Sequence, residues 1–157
     1  MDNIISGLKH GMVVETDVKS VTGKLLYSDF KVIHDENGTH LNESPLSTAV
    51  KFPVVGIAAA VGRVALGIIH TLGHLFAAMV TLKKGHLFHA AKGACETLKG
   101  IFEAIPLAGR IHAFGFNLQN GHRPFWMMKI YNPKQPDEVD HTMKLWTEFP
   151  EKYYIRA

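Results

Sequence analysis

Between Val54 and Ile105 the apolar positions of the chain recur at three- and four-residue steps, the period of an α-helix. In the first half, Val54, Val55, Ile57, Val61, Val64, Leu66, Ile68, Ile69, Leu72, Leu75, Phe76, Met79 and Val80 make a wide apolar arc. A helix is predicted to begin between Ser47 and Val54, where Pro53 suits a first turn, and it meets no strong breaker until Lys83-Lys84-Gly85. In the second half, Leu87, Phe88, Ala91, Ala94, Cys95, Leu98, Ile101, Phe102 and Ile105 share one face. His89, Lys92, Glu96, Lys99 and Glu103 share the other, the pattern of a half-buried amphipathic helix. The intervening Lys83-Lys84-Gly85 is short enough for an antiparallel helical hairpin.

Either side of this hairpin the pattern changes to short apolar runs bounded by Gly, Asp and Pro. Met12 to Val14 and Leu25 to Ile33 read as β-rich, and Asn37-Gly38 has the residues of a type I′ turn, which predicts a small β-hairpin there. Asn37-Gly38-Thr39 also matches a glycosylation acceptor, but the turn accounts for it without a secretory context. After Pro106 a short helix is expected over residues 107–116. A buried strand follows over residues 125–131, then a short helix over 137–149 and an extended piece at Tyr153 to Ile155. The expected fold class is α+β, a central antiparallel helical hairpin with short strands contributed by the N- and C-terminal parts. It is read as a single domain over 1–157: a β-rich part to residue 51, a helical basic and apolar part over 52–118, and a strand plus short helix over 119–157.

Composition sharpens this picture. The chain has 157 residues, 46% hydrophobic and 20% charged, with a net charge of +3, enough for one buried core and incompatible with general disorder. The charge is uneven: residues 1–51 carry five bases and seven acids, residues 52–131 eight bases and two acids, and the remainder four bases and five acids. A lone Cys95 forms no internal disulfide, so a reducing compartment is expected. The N-terminus lacks the continuous apolar stretch of a signal peptide, which points to a cytoplasmic or membrane-associated protein.

Nineteen residues from Val64 to Leu82 carry no formal charge, close to the ~20 apolar residues that cross a bilayer. Within them, polar His70, Thr71 and His74 argue against a simple lipid-facing span. At helical steps, Gly56, Ala60, Arg63, Gly67, His70, His74, Ala77 and Thr81 form one narrow stripe of small and polar side chains. Such a stripe lets a second helix approach closely and exchange hydrogen bonds. Lys83, Lys84, Lys92 and Lys99 would supply charge for anionic lipid at ~1 kcal/mol each. The bases are not interleaved with exposed aromatics and no reader motif is present, so nucleic-acid binding is not expected.

The chain holds ten histidines, six of them in the basic middle: His70, His74, His86, His89, His112 and His122. His70 and His74, four apart on one helical face, have a spacing that can bind metal, and a transition metal is the only cofactor suggested; the plainer reading makes these histidines helix-contact hydrogen-bonders or interfacial residues. His86 lies about twelve residues beyond His74, which in a simple hairpin is expected to keep the two pairs roughly half a helix apart. No Asp or Glu lies between Glu43 and Glu96, so bridging carboxylates and a zinc-protease general base are missing. Cys95 on the apolar face reads as a small hydrophobe, with no local base or oxyanion hole for a nucleophile. Gly109-Arg110 after Pro106 is a weak anion-binding signal.

The segments GIIHTLGHLFAAMVTLKKGHLFHAAKG, GIFEAIPLAGRIHAF and WMMKIYNPKQPD resemble a pattern in an uncharacterised protein family of chlamydia-like intracellular bacteria. The resemblance covers roughly Phe52 to the C-terminus and carries no catalytic residue. It implies a bacterium living among host membranes and a membrane-associated or effector-like protein. The leading expectation is a non-enzymatic interaction protein whose hairpin engages a membrane surface or a partner helix. The competing one is a soluble metal-binding protein or metal-dependent enzyme using His70 and His74, and homo-oligomerisation through the hairpin is a third.

Overall fold

The computed structural model describes residues 12–27, 32–35, 38–41, 45–107, 109, 128–132 and 154–157. Their elements in chain order are β1 (Met12–Glu15), α1 (Gly23–Leu26), β2 (Val32–Asp35), β3 (Gly38–Leu41), α2 (Pro45–Val50), α3 (Val55–Thr81), α4 (Lys84–Ala104), β4 (Met128–Tyr131) and β5 (Tyr154–Arg156).

The hairpin dominates. α3 runs for 27 residues and α4 for 21, joined through Leu82 and Lys83. α3 stops at Leu82, which adopts a left-handed conformation with φ 57° while its N–H still donates to the Ala78 carbonyl at 2.9 Å. A non-glycine residue there costs roughly 1–2 kcal/mol, offset by the packing of the two helices it turns together. That packing is close because glycines line it. A Cβ on Gly93 would stand 2.6 Å from Thr71 Oγ1 and 2.8 Å from His70 Cδ2, and one on Gly100 would stand 3.0 Å from the Ala60 carbonyl oxygen.

The N-terminal part roofs one side of the hairpin. Ser20 Oγ accepts the Gly23 N–H at 3.1 Å, and the Thr22 carbonyl accepts from Leu25 and Leu26, which winds residues 23–26 into the helical turn α1. At the open end, Val50 of α2 packs with Ala59 and Ala60. At the turn end, Val14 of β1 packs with Phe88 and Ile130. β1 lies between β4 and β5, parallel to both, with Val14 opposite Ile130 and Ile155.

Several expectations are corrected. The α+β class is replaced by a helix-dominated fold with two long helices packed together. The strands are three or four residues each, too short to build a layer around the hairpin. Leu25 and Leu26 are helical: the Thr22 carbonyl accepts their N–H groups and Ser20 Oγ accepts the Gly23 N–H, local bonds that take the place of strand pairing. β2 and β3 pair antiparallel with Asp35 opposite Gly38, so Gly38 is the first paired residue of β3 and not the centre of the turn. Of the expected strand over 125–131, Met128–Tyr131 is described; the rest of it, most of the expected helix over 107–116 and all of that over 137–149 lie outside the described residues.

Candidate functional site

The residues of interest come from the seam where α3 meets α4. On α3 the stripe residues Gly56, Ala60, Arg63, Gly67, His70 and His74 are buried, Ala77 is half-buried and Thr81 is exposed. On α4 the buried residues are Gly85, His89, Ala90, Lys92, Gly93, Glu96, Lys99, Gly100 and Glu103. The polar side of α4 therefore faces inward, whereas Leu87, Ala91, Ala94, Leu98, Ile101 and Phe102 are exposed. This inverts the amphipathic expectation. Lys92 and Lys99, expected as membrane-surface charge, are buried in ion pairs, and only Lys83 and Lys84 of that set stand outside.

The inversion has a local cause. Close packing of α4 on α3 needs its glycines at the contact, and Gly93 and Gly100 are each preceded by a lysine that is thereby carried into the seam. Once there, the polar residues of α4 meet those of α3, and each satisfies a group that would otherwise be buried unpaired.

The half of the seam nearer the turn holds the imidazoles. His74 Nδ1 lies 2.9 Å from His86 Nδ1, and the rings of His74 and His89 stack with centroids 4.5 Å apart. The expected separation of the two histidine pairs is thus overturned. In an antiparallel hairpin, residues at similar distances before and after the turn lie side by side, so chain separation does not measure distance. One ring nitrogen from each of His70, His74 and His89, all buried, lies within 4.8 Å of the others.

Sequence reasoning did not find the N-terminal partners of these rings. His89 Nε2–H donates to the Val18 carbonyl at 3.1 Å, which leaves Nδ1 to accept the Tyr27 hydroxyl at 2.9 Å. Tyr27 Oη in turn accepts from His70 Nε2–H at 2.6 Å, and His70 Nδ1 accepts from the Thr22 hydroxyl at 2.6 Å. Ser20 Oγ lies 3.0 Å from His74 Nε2. These proton positions follow from the one fixed acceptor, the Val18 carbonyl. Burial pushes His70 and His89 down to about 4, aided by the neighbouring imidazoles, and lowers His74 in the same way. Burial, with the Glu96 charge, pushes the Tyr27 hydroxyl up.

The half of the seam nearer the open end is ionic. Arg63, fully buried, places NH1 at 2.6 Å from Glu96 Oε2 and donates through NH2 to Ser47 Oγ at 2.8 Å. Its Nε is 2.9 Å from Glu103 Oε2, but neither atom makes an aligned hydrogen bond, so that contact is Coulombic. Lys92 pairs with Glu96 at 3.0 Å and Lys99 with Glu103 at 3.8 Å, each within one helical turn. Burial acts to raise the Glu96 carboxyl, yet Lys92, Lys99 and Arg63 outweigh it and hold the group down at about 2. Burial raises Glu103 and lowers Lys99.

Other candidates gain nothing chemical. Cys95 is half-buried with its thiol pushed up by burial, unlike an activated nucleophile. Gly109 spends its N–H on the Ile105 carbonyl at 2.8 Å, and Arg110, His112 and His122 lie outside the described residues. α3 is long and apolar enough to cross a membrane by length and composition. The chain matches no family model, no curated protein and no solved structure.

Proposed function

We propose that this chain is an interaction protein that docks on a membrane surface, with its helical hairpin lying in the plane of the interface. One observation carries the reading. Along α3 and α4 the exposed positions are apolar, Thr81 and Lys84 being the polar exceptions besides a glycine, while every charged residue between Gly85 and Ala104 is buried. In water this arrangement is inside out, and contiguous apolar patches of such extent mark protein or membrane contact.

The roof supports an in-plane orientation. Residues 14–27 and α2 cover the other side of the hairpin from the turn to the open end, and Asp17 and Lys19 are exposed on them. A hairpin inserted upright would drag this irregular, hydrogen-bonding segment into hydrocarbon, where unsatisfied backbone groups cost several kcal/mol each. At ~1.5 Å per residue α3 is also about 40 Å long, longer than the ~30 Å hydrocarbon core. Lying flat removes both conflicts. With Lys92 and Lys99 turned inward, attachment is chiefly apolar. The resemblance to proteins of intracellular bacteria belongs to this proposal as its setting, an effector-like protein among host membranes.

Flotation of the untagged protein with liposomes tests it. The protein should rise with vesicles at low and moderate salt alike. Leu72→Glu combined with Phe76→Glu, at two positions 61% and 65% exposed, should leave the protein at the bottom of the gradient with its helicity intact. A wild-type protein that stays at the bottom with both neutral and anionic vesicles, whether monomeric or self-associated, would sink the proposal.

A further inference from the structure

We infer that His70, His74 and His89, with Tyr27 Oη in the fourth position, form a binding site for a divalent transition metal of the zinc class. Three independent features lead there. One nitrogen from each of the three buried imidazoles falls within 4.8 Å of the others. In a tetrahedral site with Zn–N of about 2.0–2.1 Å, donor atoms lie closer together than this, so binding would draw the three rings together about the ion. Tyr27 Oη already sits between two of the rings, 2.6 Å from His70 Nε2 and 2.9 Å from His89 Nδ1, where both point at one oxygen.

The third feature is an outer layer. Each ring has one nitrogen on an oxygen of the 18–22 segment: His89 on the Val18 carbonyl, His70 on Thr22 Oγ1 and His74 on Ser20 Oγ. Metal-binding histidines are held by such partners, which set the ring's orientation and tautomer. The Thr22 and Ser20 hydroxyls accept as readily as they donate, so the His70 proton can move to Nδ1 and free Nε2 for the ion. A donor set of imidazole nitrogens with one phenol oxygen suits Zn2+, Cu2+ or Ni2+ and does not suit Mg2+ or Ca2+. Half-buried His86, 2.9 Å from His74, stands at the edge of the cluster. The site is independent of membrane docking, since all its groups lie between hairpin and roof.

Titration of untagged, chelator-treated protein with Zn2+, followed by calorimetry and by metal analysis after gel filtration, tests the site. One equivalent should bind and raise the melting temperature. His89→Gln and His70→Gln, which keep hydrogen-bonding capacity at each position, should each weaken binding at least tenfold while circular dichroism stays that of the wild type. Thr22→Val should cost about ten- to a hundredfold, as outer-layer changes do. With Cu2+ as the probe, the wild type should show a phenolate charge-transfer band that Tyr27→Phe abolishes. Failure of the wild-type protein to take up Zn2+ or Cu2+ would overturn the inference. So would uptake that the His70 and His89 variants leave unchanged, since the ion would then sit elsewhere.

Discussion

At the scale of single residues, glycine position in the long helices separates structural from replaceable sites. Gly93 faces Thr71 and His70 within 2.6–2.8 Å of any added Cβ, whereas Gly73 and Gly62 meet nothing within 4 Å. Gly93→Ala should therefore destabilise by about 1–3 kcal/mol through overpacking. Gly73→Ala should stabilise by up to ~1 kcal/mol through helix propensity. Urea denaturation of the two variants measures both, and equal effects would contradict the described contact. Little of this contrast is legible in the sequence, where the two glycines sit in equally helical surroundings. The stripe from Gly56 to His74 was legible, because a period of three and four residues names a face whatever lies opposite it. The Tyr27, Thr22 and Ser20 contacts to the histidines were not, since they join residues 43 to 62 positions apart with no shared pattern.

At the scale of elements, Arg63 ties α1, α2 and α4 to α3: NH1 lies 3.5 Å from the Leu26 carbonyl and 2.6 Å from Glu96 Oε2, while NH2 reaches Ser47 and Nε reaches Glu103. Arg63→Met should destabilise by about 3–5 kcal/mol, because Glu96 and Glu103 stay buried with a major counter-charge removed. Replacing the whole network together, Arg63→Met, Lys92→Met, Glu96→Gln, Lys99→Met and Glu103→Leu, should recover much of that loss because no buried charge is left unpaired, and chemical denaturation of both proteins checks the order. The hairpin, its turn at Lys83 and its approximate ends were readable from periodicity and breakers. The face of α4 that turns inward was not. Amphipathic spacing identifies two faces, and the assumption that the apolar one is buried holds only where water is the surrounding solvent.

For the whole molecule, the seam couples assembly to protons. His70 and His89 have folded values near 4 against about 6.5 for a free imidazole, so the unfolded chain binds more protons between these limits. Stability from this source is complete above pH ~6.5 and is lost as pH falls toward 4. Of the groups facing these rings, His74, His86, Tyr27, Lys92 and Glu96, only Glu96 offers a counter-charge, and at His70 burial and the neighbouring imidazoles outweigh it. Glu96, held down at about 2, adds a further loss as pH drops below ~4.5. Chelator-treated protein should show denaturation midpoints that decline from pH 6.5 to 4, and His70→Gln should flatten that decline. Taken by itself, the sequence determined a long apolar helix, its antiparallel return, and the small and polar stripe by which the two meet, because these depend on local period and turn chemistry. Only the tertiary structure decided that the charged face of α4 meets that stripe, that His89 joins His70 and His74, and that residues 14–27 close over them. Those outcomes depend on which buried polar groups find partners across long chain separations. That pairing is set by the packed helices together and by no segment alone.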